Sequence, residues 1–146
     1  MARTISATVT INAAPAEVWA VLCDLARYPE WHPDIRRVTG TIQAGSQVVV
    51  GTVLPSSGRT VIRRLWVVAA QPGAELRLRP SPSSGREQSF TLSPVDSGTH
   101  TEVVNSSTIP GYLVWLAWPL FAALRTRLDR VNQALKYRAE QDPGTI

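Results

Sequence analysis

Between Ile35 and Thr108 the sequence is a succession of short β-type runs with no helical pattern between them, and this stretch constrains the fold most strongly. Turn-forming residues such as Gly45 and Gly73 separate the runs. Parallel strands need long crossover connections, so links this short predict an antiparallel meander. The runs that we predict to be strands are Val38–Ile42, Gln47–Leu54, Thr60–Ala70, Ala74–Arg79, Gln88–Ser93 and Thr101–Ser107.

The residues on either side of this stretch predict one more strand and three helical segments. Alternation of apolar and polar residues predicts a strand over Thr4–Asn12, and helical spacing predicts a short helix over Pro15–Asp24. The two prolines of Tyr28–Pro33 predict a tight turn or a second short helix. A leucine stripe predicts a long helix over Ile109–Glu140, kinked near Pro119 because proline removes a backbone donor.

Together these elements predict an α+β fold with a curled antiparallel sheet of about seven strands around a long C-terminal helix. Two short helices follow the first strand and close one end. At 146 residues the chain has the length of one domain, and we assign residues 1–146 to a single domain. A domain of this size buries enough apolar surface to need no metal or disulfide for stability.

The composition argues against several functional classes. Cys23 is the only cysteine, which excludes an internal disulfide and multi-cysteine metal sites, and we expect no metal and no cofactor. The net charge is +4, and Lys136 is the only lysine among 15 basic residues. The arginines are spread along the chain and no nucleic-acid-binding motif accompanies them, so we expect no nucleic-acid partner.

Neither the N-terminal stretch nor the apolar stretch near the C-terminus has the pattern of an export signal or a membrane-spanning helix. Residues 1–12 alternate polar and apolar side chains rather than forming an export signal, so a cytoplasmic location is expected. The apolar stretch Ile109–Leu124 contains two prolines and is shorter than the about 20 residues that a membrane-spanning helix needs.

Four segments carry one family resemblance: VWAVLCDLARYPEWHPDI (Val18–Ile35), Pro15–Trp19, the LRLR strand Leu76–Arg79 and the C-terminal run Val131–Lys136. They resemble the START/SRPBCC superfamily, and most of all its polyketide cyclase/dehydrase-like branch. The similarity covers almost the whole chain, with a core of about residues 4–140. It implies the helix-grip fold, related to the birch-pollen allergen, in which a deep apolar cavity lies between the curled sheet and the long helix.

Three positions depart from the pattern of this superfamily. His32 stands where members often have asparagine, and Gln88 stands where many have a histidine after a glutamate. Asn105 stands where a glutamate is common late in the seventh strand. Because two titratable side chains are replaced by neutral amides, acid–base catalysis at Gln88 and Asn105 is not favoured.

His32 is the most interesting titratable residue of the chain. Histidine titrates near neutral pH and serves as a general acid or base, and Asp34, two residues further on, is placed to orient it. The alternative, which the proline-rich turn favours, is a surface histidine without a catalytic role.

Two adjacent arginines of the fourth predicted strand point to opposite faces of the sheet. Arg63 shares one face with Leu65, and Arg64 shares the other with Trp66. We predict that Arg64 and Trp66 point toward the cavity, where the guanidinium would bind a ligand carboxylate or an enolate oxygen. The candidate catalytic residues are therefore His32 and Arg64.

The candidate ligand-binding residues are aromatic or carry an amide. Trp115 and Trp118 lie about one turn apart on the long helix, where they either pack on the sheet or line the cavity, and both interpretations stay open. The full set is Trp66, Gln88, Phe90, Asn105, Tyr112, Trp115 and Trp118.

These features favour a carrier or binding protein that takes a lipophilic or polycyclic small molecule into an apolar cavity. One alternative is a polyketide cyclase/dehydratase that folds a poly-ketone in the same cavity, where proximity supplies much of the rate gain. Another is a membrane-peripheral or protein-interaction module that uses the apolar segment 112–124. The expected partner is a hydrophobic small molecule, membrane contact is not favoured, and the oligomeric state is left open.

Overall fold

In the computed structural model, which describes residues 2–54, 57–111 and 121–141, seven strands form one curled antiparallel sheet. The strands are β1 (Arg3–Ile11), β2 (Ile35–Gly40), β3 (Gln47–Val53), β4 (Thr60–Gln71), β5 (Glu75–Arg79), β6 (Glu87–Val95) and β7 (His100–Ile109). Their order in the sheet is β1-β7-β6-β5-β4-β3-β2, so β2 to β7 form a continuous meander. The helical segments are α1 (Pro15–Cys23), a 3₁₀ turn (Leu25–Arg27), α2 (Tyr28–Trp31), a second 3₁₀ turn (Asp96–Gly98) and α3 (Phe121–Gln141).

The predicted α+β helix-grip architecture and the order of its elements are confirmed. β2 begins at Ile35 rather than Val38, because Ile35 already pairs with β3 across a bulge. β7 continues to Ile109, which pairs with Arg3 of β1, so the predicted helix start at Ile109 was wrong. The predicted kink near Pro119 lies outside the described residues.

β1 shows how the sheet acquires an apolar inner face. Ile5, Ala7, Val9 and Ile11 are buried, whereas the residues between them are exposed. This is the period of two that a strand with one face on the core must have. The same side of the sheet continues across β7, where Val103 is fully buried.

α1 begins at a capping arrangement and covers one end of this inner face. The backbone N–H of Ala14 donates to Oε1 of Glu17 at 3.0 Å, and Pro15 occupies the first turn, where no donor is lost. Val18 and Leu22 are fully buried in the main core cluster. The helix therefore contributes apolar side chains to the core through its inner side.

α3 lies against the inner face of the sheet, chiefly along β1. Its buried apolar residues recur at helical spacing: Leu128, Val131, Leu135 and Ala139. Such a stripe buries one side of an amphipathic helix and leaves the other side in water. Leu135 is completely buried, whereas the exposed fraction of Tyr137 is 66%.

Three polar side chains fix the position of α3 along β1. Asn132 Nδ2 donates to the carbonyl of Ala7 at 2.9 Å, and Lys136 Nζ donates to the carbonyl of Thr10 at 3.0 Å. Glu140 Oε2 accepts from the backbone N–H just beyond the strand at 2.8 Å. Because these residues follow one another at intervals of four, they lie on one side of the helix and specify its register.

The replacement of Leu135 by alanine tests the contribution of this packing to stability. We expect Leu135→Ala to lower the free energy of unfolding by about 2–5 kcal/mol, because it removes buried methyl groups and leaves a cavity. Urea denaturation measures the change. The matched control is Tyr137→Ala on the same helix, which should stay within about 0.5 kcal/mol of wild type; equal effects of both changes would contradict the assigned helix face.

Candidate functional site

A cavity of about 200 Å³ lies between the inner face of the sheet and the helical segments. Strands β2 to β7, α2 and α3 all contribute to its wall. Most of the wall is apolar, and its apolar side chains are Leu25, Ile35, Val38, Ile42, Val48, Val50, Leu65, Leu76, Leu78, Pro80, Phe90, Leu124, Leu128 and Val131. The polar residues of the wall are Tyr28, His32, Asp34, Thr52, Arg63, Arg86, Glu87, Gln88, Ser107, Thr108 and Arg127.

The strand register shows that Arg63, not Arg64, belongs to the cavity wall. Arg63 lies opposite Val50 of β3, which is buried and lines the cavity. Residues directly opposite one another in an antiparallel pair share a face of the sheet. Arg64 and Trp66 therefore occupy the outer face, and the prediction that they point inward was wrong. Leu65 instead fills the concave side.

The predicted alternation within β4 agrees with the structure, but its predicted phase is wrong. Two adjacent arginines give a strand the same local pattern in either phase, and only the pairing with β3 distinguishes the two. A tryptophan also packs readily on the outer face of a sheet, so the presence of Trp66 does not indicate which face of β4 lines the cavity. Trp66 lies opposite Gln47 of β3, which is exposed.

His32 lines the cavity and is not the surface histidine that its turn suggested. Its ring lies 6.1 Å from the Tyr28 ring, nearly parallel to it, and 5.4 Å from the Trp31 ring. Burial lowers the pKa of His32 to about 4; Asp34 opposes this effect, and the charge of Arg127 adds to it. The imidazole is therefore neutral at neutral pH.

The hydrogen bonds around His32 decide which nitrogen carries its proton. The backbone N–H of Asp34 donates to Nδ1 of His32 at 3.1 Å. A nitrogen that accepts this bond is unprotonated, so the neutral ring carries its proton on Nε2. In this form the side chain is a hydrogen-bond donor through Nε2.

The Asp34 carboxylate pairs with α3. Its Oδ2 accepts from Nε of Arg127 at 3.0 Å, and Arg130 Nη2 lies 3.9 Å from Oδ1. The expectation that Asp34 orients His32 holds only through its backbone N–H. The carboxylate itself links the start of β2 to α3 and neutralises one charge at the cavity wall.

Tyr28 contributes an aromatic ring to the wall but no free hydroxyl. Its O–H donates to the carbonyl of Leu22 at 2.6 Å. Burial, together with Cys23 and Asp24, raises the pKa of Tyr28 above its usual value. The hydroxyl therefore stays protonated, and it connects α2 to the end of α1.

The remaining predicted ligand-binding residues lie in different environments. Gln88 and Phe90 are on the inner face of β6 and line the cavity. Asn105 of β7, opposite Phe90, is completely buried but does not form part of the wall. Both amide atoms of Asn105 lack a hydrogen-bond partner among the described residues, as does Oδ1 of Asn132. Three further predicted residues, Tyr112, Trp115 and Trp118, lie outside the described residues.

Sequence reasoning missed several polar residues of the wall, among them Tyr28, Arg86 and Arg127. Arg127 precedes Leu128 of the apolar stripe on α3, so its position beside that stripe was a usable signal. No local pattern marked Arg86, which precedes β6 in a turn-rich stretch. Within the described residues, no group of three or more His, Cys, Asp or Glu side chains is arranged to hold a metal ion.

Comparisons with known proteins agree with this fold. Residues 2–140 match the family described as polyketide cyclase/dehydrase and lipid transport. The structure is similar to that of a START superfamily protein from Mycobacterium smegmatis (20% identity, TM-score 0.69, 94% of this chain and 97% of that chain). It is also similar to the Zhui aromatase/cyclase from a Streptomyces species (18% identity, TM-score 0.72, 100% of both chains).

A third similar structure is that of a norcoclaurine synthase point mutant from Thalictrum flavum. It is 12% identical, with a TM-score of 0.71 over 99% of this chain and 98% of that chain. At these identities the likeness concerns the fold alone. Among curated proteins, none matches the chain in sequence.

The low pKa of His32 predicts a specific dependence of stability on pH. Below about pH 6.5 the unfolded chain takes up a proton that the folded protein accepts only near pH 4. The free energy of unfolding is therefore not reduced by this proton above pH 6.5. It falls by up to about 3 kcal/mol as the pH is lowered toward 4. Urea denaturation across this range should show a shallower decline for His32→Gln than for wild type.

His100 provides the matched control for this measurement. It lies at the start of β7, beside Asp96, and does not line the cavity. His100→Gln should not reproduce the shallower decline of His32→Gln between pH 6.5 and 4. A His32→Gln slope identical to that of wild type would show that His32 is not buried.

Proposed function

Because the chain belongs to the polyketide cyclase/dehydrase and lipid-transport family, we propose that it binds a lipophilic or polycyclic small molecule in the cavity between the sheet and α3. The observation that carries this proposal is the largely apolar wall, contributed by six strands and α3. Ligand pockets in proteins have this composition, with a few polar groups that orient the ligand.

The size of the cavity narrows the ligand class. Its volume of about 200 Å³ lies below the roughly 300–1,000 Å³ usual for drug-sized ligands. A compact molecule of a few rings fits this space better than a long acyl chain. The buried ring of Phe90 provides an aromatic surface for such a ligand.

A charge placed on the helix side of the wall tests the binding function. Leu124 lines the cavity, whereas its neighbour Ala123 is exposed. We expect Leu124→Arg to weaken binding of the uncharged fluorescent probe N-phenylnaphthylamine at least about tenfold, because an unpaired charge against apolar ligand surface is costly. Fluorescence titration measures the affinity.

Ala123→Arg is the matched control, since it adds the same charge one residue away. It should bind the probe like wild type, and circular dichroism should show that both variants are folded. Equal affinities for all three proteins would contradict ligand binding against α3, and no probe binding by wild type would remove the proposed function.

A second candidate function is catalysis of ring closure in a poly-ketone, and His32 favours it. Its Nε2–H is a neutral donor on the largely apolar wall, suited to polarising a ketone oxygen as an enolate carbon attacks. Because Nδ1 already accepts a hydrogen bond, this role is that of an electrophile and not of a general base. The cavity holds the chain folded, and Gln88 provides a further polar contact.

The cyclase function predicts a rate effect without a binding effect. We expect wild type to accelerate ring closure of a synthetic poly-ketone thioester above its spontaneous rate, and His32→Leu to lose about a hundredfold of that rate. N-phenylnaphthylamine should bind both proteins alike. His100→Leu, remote from the cavity, is the control, and a rate no higher than the spontaneous one would leave the carrier function alone.

The membrane-peripheral or protein-interaction hypothesis rests on the segment 112–124, of which residues 112–120 lie outside the described residues. Among the helices that the structure describes, none combines the length and the apolar character needed to cross a bilayer. This third function stays a prediction.

A further inference from the structure

Three arginines line the cavity, and their charges are balanced unequally. Arg127 is paired with the buried Asp34 carboxylate at 3.0 Å. Within the described parts of the chain, no carboxylate lies at ion-pair distance from Arg63 or Arg86. Two cationic groups of the wall are thus left uncompensated.

The other carboxylate of the wall does not neutralise them. Glu87 Oε1 accepts from Nε of Arg79 at 2.8 Å, and its Oε2 lies 3.2 Å from Nη1 of Arg77. Both partners project from β5. Glu87 is therefore paired with the arginines of β5 and not with Arg63 or Arg86.

Arg63 and Arg86 lie where the cavity meets solvent. Both residues are exposed and yet belong to the wall, which places them at its mouth. The turn before Arg86 lies close to Pro110: a Cβ added at Gly85 would come within 2.9 Å of the proline ring. This contact positions Arg86 beside the end of β7, whose Thr108 also lines the cavity.

Arg63, Arg86 and Arg127 line the same cavity, so their charges act on one another. Burial and the positive charges of Arg86 and Arg127 lower the pKa of Arg63. Like charges that meet at a partly dry surface repel, and a bound anion relieves that repulsion. Arginine also binds a carboxylate through two parallel hydrogen bonds.

We propose that the ligand of this cavity is an amphipathic anion, whose apolar body fills the cavity and whose carboxylate is bound by Arg63 and Arg86 at the mouth. This inference rests on the proposed ligand binding and adds the charge of the ligand to it. The apolar side chains select the body, and the two arginines determine its orientation, with the acidic end outward.

Two probes with the same apolar skeleton test the inference. Anilinonaphthalene sulfonate carries an anionic group, which N-phenylnaphthylamine lacks. We expect wild type to bind the anionic probe about tenfold more tightly than the uncharged one, by fluorescence titration at low salt, and added salt should reduce the preference. Naphthoate should displace the bound sulfonate probe better than naphthalenemethanol does, which extends the result to a carboxylate.

Charge-removing variants locate the binding group. Arg63→Gln and Arg86→Gln should each abolish most of the preference for the anionic probe while leaving affinity for the uncharged probe within about twofold. Arg63→Lys, which keeps the charge, should retain part of the preference. Arg64→Gln is the matched control, because Arg64 is the next residue and faces the outer side of the sheet, and it should behave like wild type.

The outcomes separate this inference from the proposed function. If the uncharged probe binds but wild type shows no preference for the anionic one, the anion site is wrong and the apolar cavity stands. If the preference survives in both Arg63→Gln and Arg86→Gln, or falls equally in Arg64→Gln, the arginines at the mouth do not bind the anion. If neither probe binds wild type, both proposals fail.

Discussion

A curled sheet exposes an apolar concave face, and the remaining architecture depends on how α3 covers it. Leu135 and Ala139 pack closely on the strands, while Asn132 and Lys136 bind carbonyls of β1. Toward its N-terminal end, Leu124 packs against Ile5, Ala7 and Ile109 of the sheet and also lines the cavity. Because α3 packs chiefly along β1, the cavity is the part of the concave face, lined by β2 to β7, that the helix does not cover.

The Asp34–Arg127 ion pair connects His32 to the packing of α3 on the sheet. The pair joins the start of β2 to α3, and Asp34 also orients His32 through its backbone N–H. Removing either partner would leave a partly buried charge uncompensated, which is costly. Among the arginines of the wall, Asp34 compensates the positive charge of Arg127 only, and it leaves the charges of Arg63 and Arg86 uncompensated.

Different residues of the cavity wall consequently provide three different chemical properties. Aliphatic side chains and Phe90 provide an apolar interior, and neutral His32 provides one donor. The arginines provide positive charge where the cavity opens. The proposed carrier function would use the first and third of these, whereas the proposed cyclase function would also require the second, so the two proposals share one cavity and differ in their dependence on His32.

The sequence by itself determined the types of the elements and their order, although not all of their bounds. The alternation in β1 and the stripe on α3 are local periodicities, and each follows from which side of an element meets the core. A one-residue difference in phase, by contrast, gives β4 the same local pattern with Arg63 or Arg64 inside, and only pairing with β3 resolves it. The partial burial of His32 and the position of Arg63, Arg86 and Arg127 on one cavity wall were likewise decided by the tertiary structure, because these groups come from segments far apart in the chain and their environment consists of contacts that no local pattern contains.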